Sequence, residues 1–134
     1  MTMHNVRITV LECRCYEDLQ EEYLSNPRIG PCSLFHPGDE FIVTPDEWSH
    51  LMHGRFCSEA WSCISRYVYA AMNGGAIMDG WNRDDGVMIA CCNDGTRPVI
   101  FKIERMDDRS GPGRIRSARC SPRSRHRRGP CSRG

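Results

Sequence analysis

A break in composition at Asp107 limits what this chain can fold into. Residues 107–134 hold nine Arg and two Asp among Ser, Gly and Pro, and Ile115 is their one aliphatic residue larger than Ala. Such a segment cannot bury enough apolar surface to offset the ordering of its backbone, so disorder is expected. A fold must therefore come from residues 1–106, which carry nine Lys+Arg against fifteen Asp+Glu. The formal net charge of +1 over 134 residues describes neither part, since an acidic segment precedes a basic one. That length accommodates one domain, and a barrel of eight β/α units does not fit. No run approaches the roughly 18–20 apolar residues of a membrane span. Met1 to Tyr16 contains Glu12, Cys13 and Cys15 and no apolar core of a secretory signal, so a cytoplasmic protein is expected.

Periodicity predicts the elements of residues 1–106. Asn5 to Cys13 alternates as a strand, with Val6, Ile8 and Val10 on one face and Arg7, Thr9, Leu11 and Cys13 on the other. Glu17 to Leu24 reads as a short acidic helix with Leu19, Tyr23 and Leu24 as apolar contacts, ended by Ser25-Asn26-Pro27. Pro37-Gly38-Asp39 turns the chain into a strand over 40–43, and Thr44 to Gly54 reads as irregular. Residues 58–73 form the strongest helix, with Trp61, Ile64, Val68, Ala71 and Met72 as its apolar stripe and Gly74-Gly75 as its stop. Cys57 joins that stripe one turn earlier, and Cys63 falls nearly opposite. Strands over 87–92 and 98–104 follow, joined by Asn93-Asp94-Gly95-Thr96-Arg97. The expected fold is α+β: a small sheet of about four strands packed by one main helix.

The hairpin register decides which of two adjacent cysteines is buried. Neighbouring strand residues face opposite sides, so Cys91 and Cys92 cannot share a face. A two-residue Asp94-Gly95 turn pairs Ala90 with Val99 and buries Cys92. A five-residue loop pairs Cys91 with Val99, buries Cys91, and groups Val87 and Ile89 with Val99, Phe101 and Ile103. That apolar grouping favours Cys91 inside, although a one-residue slip reverses it.

Nine cysteines, an odd number, in a chain with no export signal argue for reduced thiols or thiolate ligands rather than a disulfide framework. No C-x-x-C occurs, so a metal site must be assembled from distant segments. Cys57 at a helix start lies where the helix dipole stabilises a thiolate. Cys13 and Cys15 on one strand need ligands from elsewhere to chelate a soft metal.

Several motifs occur in a shared order: Val6-Arg7-Ile8-Thr9-Val10, Glu17-Asp18-Leu19 through Glu22-Tyr23, Gly30-Pro31-Cys32, Gly38 to Val43, Phe56-Cys57-Ser58 with Ala60-Trp61, and Cys91 to Arg105. Over about residues 3–106 the chain resembles a family of small, cysteine-containing hypothetical proteins of bacteria and archaea, frequent in anaerobes and without an assigned activity. The resemblance implies a prokaryotic cytosolic origin and a domain ending near Arg105-Met106. It marks Cys32, Cys57, Cys91 and Cys92 as the recurrent cysteines, with Cys13, Cys15 and Cys63 peculiar to this chain.

Those four cysteines are the candidate site, either as ligands of zinc or an iron–sulfur cluster or as a thiol-redox group. The alternative is a non-catalytic binding or accessory domain, serving a protein or small-molecule partner, whose cysteines only pack the core. His36, His50 and His53 read first as exposed loop residues, and Asp39-Glu40 and Asp84-Asp85 as turn residues. No G-x-S-x-G, H-E-x-x-H or glycine-rich phosphate loop is present. The basic segment reads as an extension without a role, and otherwise as a nucleic-acid-binding arm centred on Arg123 to Arg128.

Overall fold

The computed structural model describes residues 3–107, so the readings of the basic segment, including Ile115 and Arg123 to Arg128, lie outside the described residues. The elements in chain order are β1 (Asn5–Cys13), α1 (Glu17–Tyr23), β2 (Glu40–Val43), a 3-10 segment (Trp48–Gly54), α2 (Ser58–Asn73), β3 (Val87–Cys91) and β4 (Val99–Met106). The four strands form one antiparallel sheet in the order β2-β1-β4-β3. This is the expected α+β architecture.

Alternation explains the sheet. Val6, Ile8 and Val10 of β1, Val43 of β2, Met88 of β3, and Val99, Phe101 and Ile103 of β4 are buried on one face. Across that face lies α2, which buries Ala60, Trp61, Ile64, Val68, Ala71 and Met72. Each fully buried Ile or Val contributes about 1.5–3 kcal/mol. Phe101 meets Phe35 edge-to-face with ring centroids 5.3 Å apart, and Phe56 at 5.6 Å. Cys63, expected opposite the apolar stripe, is half-buried and packs against this core.

At its C-terminal end α2 is tied to the sheet. Gly74 takes φ +84°, a left-handed conformation that suits glycine. The Arg105 side chain donates from Nε to the Ala71 carbonyl at 2.8 Å and from its terminal nitrogen to Gly75 O, and the His4 amide donates to Met72 O at 2.8 Å. A guanidinium at a helix C-terminus satisfies carbonyls that the helix leaves open and complements its dipole.

Two expectations are corrected. In α1 the buried residue is Gln20, at 1% exposure, whereas Leu19 and Tyr23 are exposed. Residues 44–54, read as irregular, contain the 3-10 segment, in which Leu51, Met52 and His53 all take positive φ. That turn lets Met52 reach the core, where it is 2% exposed.

Candidate thiol site

Two irregularities of the sheet place the cysteines. The first is a bulge in β1. Val10 pairs with Phe101, Glu12 with Ile100 and Cys13 with Val99, so Leu11 is the extra residue. Strict alternation would place Cys13 with Arg7 and Thr9 on the outer face. The bulge brings it into the row of Val99, which faces the core. There Cys13 Sγ donates to the Phe35 carbonyl at 3.4 Å.

The second is the hairpin between β3 and β4. Ala90 pairs with Phe101 and Cys91 with Ile100, and the Cys92 amide donates to Val99 O at 3.1 Å. Neither register considered from sequence is adopted. The connection is one residue longer than the longer alternative, and Cys92 is the inward cysteine. The expectation of Cys91 inside is therefore wrong: Cys91 is exposed, as is Ile89, and Met88 is buried instead. The reason is polar. Asp94 Oδ1 accepts from the Thr96 amide at 3.0 Å and from the Thr96 hydroxyl at 3.1 Å, and Asp94 Oδ2 accepts from Arg97 Nε at 2.9 Å. This side-chain turn takes up 94–97, and Pro98 has no amide with which to extend the ladder.

Together these features put Cys13 and Cys92 on either side of Val99, on the core face at one end of the sheet. Cys32 approaches the same place from the loop after Gly30. The thiol of Cys13 lies close enough to feel the charge of Cys32, Asp39 and Cys92, and Arg97 that of Cys32 and Cys92. Burial, then Cys32, Asp39 and Cys92, push the Cys13 thiol upward, so its neutral form is favoured. Arg97 is held cationic first by its hydrogen bond to Asp94, with Asp94, Cys32 and Cys92 adding electrostatic attraction.

Of the four expected cysteines, Cys32 and Cys92 lie within electrostatic range of Cys13 and Arg97, and Cys91 lies on the other side of the sheet. Cys57 precedes α2, half-buried against the core, and its carbonyl accepts from the Trp61 amide at 2.9 Å. The start of α2 reaches the same end of the sheet, because Glu59 accepts from Asn93 Nδ2 at 2.8 Å. Among the described residues, no three or more His, Cys, Asp or Glu side chains are grouped so that they could hold a metal ion. The zinc or iron–sulfur site expected from Cys32, Cys57, Cys91 and Cys92 is not preassembled among those residues. His50 and His53 stack on each other with centroids 5.5 Å apart.

Sequence reasoning placed Cys13 on the outer face and did not single out Arg97 or Gln20. No residue type in Val10-Leu11-Glu12 announces a bulge. An Asx turn closing on Arg97 was legible in Asp94-Gly95-Thr96-Arg97, where Asp precedes a hydroxyl by two positions. No family model matches the chain, and no curated protein or solved structure matches it either. No helix among the described residues is long and apolar enough to cross a membrane.

Proposed function

We propose that the protein is a small thiol-redox protein that exchanges disulfides through Cys32 and Cys92. The observation that carries this reading is the sheet end at which Cys13 and Cys92 flank Val99 on the core face, with Cys32, on the loop after Gly30, within electrostatic range of Cys13 and Arg97 and all three thiols free. Thiol exchange needs sulfurs that a disulfide can reach, and Cys32 and Cys92 are both partly exposed. The thiol of Cys13 is instead pushed upward by burial and then by Cys32, Asp39 and Cys92, so its proton is retained.

Sheet geometry restricts the pairing. Cys13 and Cys92 are on strands separated by β4, so their Cα atoms lie about 10 Å apart. A disulfide needs about 7 Å or less. Cys32, on a loop, is the one member of the group free of that constraint, and it is therefore the shared partner.

The reaction needs a low-molecular-weight disulfide, RSSR, as oxidant. One protein thiolate attacks a sulfur of RSSR, giving a mixed disulfide and releasing RS⁻. The second thiolate attacks the protein sulfur of that mixed disulfide, closing the Cys32–Cys92 bond and releasing the second RS⁻. Two protein thiols lose two protons and two electrons, and RSSR becomes two RSH.

The competing reading is a binding or accessory domain with structural cysteines, favoured by the hydrogen bonds of Cys13 Sγ to Phe35 O and of the Val99 amide to Cys92 Sγ at 3.3 Å. Equilibration of the full chain across a glutathione redox series, followed by acid trapping and disulfide mapping, separates the two. The thiol-redox reading expects a Cys32–Cys92 bond that forms reversibly and is lost in Cys32→Ser. Thiols that stay reduced throughout would favour the structural reading. Elemental analysis of the same preparation tests for zinc and iron.

A further inference from the structure

A single buried polar side chain connects the loop carrying Cys32 to the loop between Cys92 and Val99. Gln20 is 1% exposed and is the one buried polar or charged residue among the described residues. Its amide is used on both sides. Nε2 donates to the Gly30 carbonyl at 3.0 Å, and Oε1 accepts from the Gly30 amide at 3.1 Å. Nε2 also reaches the Thr96 hydroxyl at 3.5 Å. That hydroxyl donates to Asp94, which accepts from Arg97. The backbone reinforces the link, since the Tyr16 amide donates to Thr96 O at 2.8 Å and Tyr16 O accepts from the Gln20 amide that opens α1.

α1 has seven residues and exposes Leu19 and Tyr23. A helix so short has little stability of its own. Burying an amide at its centre is costly unless every polar atom finds a partner. An apolar residue at position 20 would satisfy core packing without that cost. What the amide adds is direction: it fixes both backbone groups of Gly30, two residues before Cys32. Gly30 takes φ +76°, so the glycine allows the turn and Gln20 holds it.

We propose that Gln20 is a positioning residue for the thiol pair, setting the Cys32 loop against the loop that carries Arg97 and follows Cys92. This rests on the thiol-redox reading above. Disulfide closure is sensitive to the separation and direction of its two cysteines, so a misplacement of about 1 Å slows it by tenfold or more.

The test uses full-length wild type, Gln20→Met and Thr96→Val with oxidised glutathione as the probe. Acid-quenched mass spectrometry follows the mixed disulfide and the intramolecular bond, and amide exchange in β1 and β4 checks the fold. The expected result for Gln20→Met is slower closure by about tenfold, accumulation of the glutathione adduct, and a shift of Cys32 pairing from Cys92 towards Cys13. Thr96→Val, which leaves the bonds to Gly30 in place, is expected to show a smaller change in the same direction. A purely structural role would lower stability and leave the choice between Cys92 and Cys13 unchanged. Should Gln20→Met not fold, Thr96→Val decides by the same pairing ratio. Closure rate and pairing unchanged in the folded variants would overturn the inference alone. Absence of any Cys32 disulfide in wild type would overturn the thiol-redox reading and the inference with it.

Discussion

Cys91 and Cys92 are adjacent in the chain and occupy opposite faces of the sheet, which gives them different chemistry. Cys91 is exposed, whereas Cys13 and Cys92 are partly buried and hydrogen-bonded. Native-state alkylation with iodoacetamide should label Cys91 first and Cys13 at least about tenfold more slowly, with the difference lost in denaturant. Labelling of Cys13 should also move to higher pH than that of an ordinary thiol, because burial, Cys32, Asp39 and Cys92 raise it. Equal native rates for Cys91 and Cys13 would contradict the bulge that turns Cys13 inward. Asp94 titrates in the other direction. Burial pushes its carboxyl up, but hydrogen bonds from Arg97 and Thr96 outweigh burial and leave it below the usual range. Its contribution to stability is present above the ordinary carboxylate range and is lost as pH falls through its lowered value. The group is 39% exposed, so the contribution is small. In Asp94→Asn, urea midpoints measured from pH 7 to pH 2 should lose that part of the acid slope.

At the scale of elements, what was legible in the sequence depended on apolar periodicity. The stripe of Trp61, Ile64, Val68, Ala71 and Met72 located α2 over 58–73, because apolar residues spaced by three and four positions fall on one face of a helix. β1 was located for the same reason, but the facing of Cys13 was not. A bulge changes facing by backbone geometry at Leu11 and leaves no residue pattern behind. The hairpin was legible as a hairpin. Its register was not, because Asp94, Thr96 and Arg97 lengthen the turn through side-chain hydrogen bonds that apolar alternation does not encode. The end of α2 depends on a similar long-range bond. Arg105, thirty-four positions away, donates to Ala71 O. Arg105→Met keeps the aliphatic stem and removes the charged donors. It should cost about 1–2 kcal/mol, discounted for partial exposure. The measurement is the urea midpoint, with faster amide exchange confined to the last turn of α2. Unchanged exchange there would mean that Gly74 and the His4 amide hold the helix end unaided.

Across the whole molecule, the two ends of the sheet are built from different materials. One end is fastened by Arg105, His4 and the end of α2. The other gathers free thiols and a chain of polar side chains from Gln20 to Arg97. Between them lies Phe101, fully buried, two residues along β4 from Val99 and in ring contact with Phe35, whose carbonyl accepts from Cys13. The core therefore supports the Phe35 backbone, and with it the Cys13 hydrogen bond, through ring contacts of Phe35 with Phe101, Phe56 and Phe41. Phe101→Ala should cost about 3–5 kcal/mol, a large share of the roughly 5–15 kcal/mol available to a domain. Phe101→Leu keeps most of the apolar volume and should cost less, while removing the edge-to-face support under the 35–36 backbone. In the folded Leu variant, native alkylation of Cys13 should accelerate and that of Cys91 should not change, because Cys91 lies on the far face of the sheet. Acceleration at both would show a general loosening of the fold. Acceleration at neither would mean that Asp39, which accepts from the His36 amide at 2.8 Å, holds that loop without help from the core.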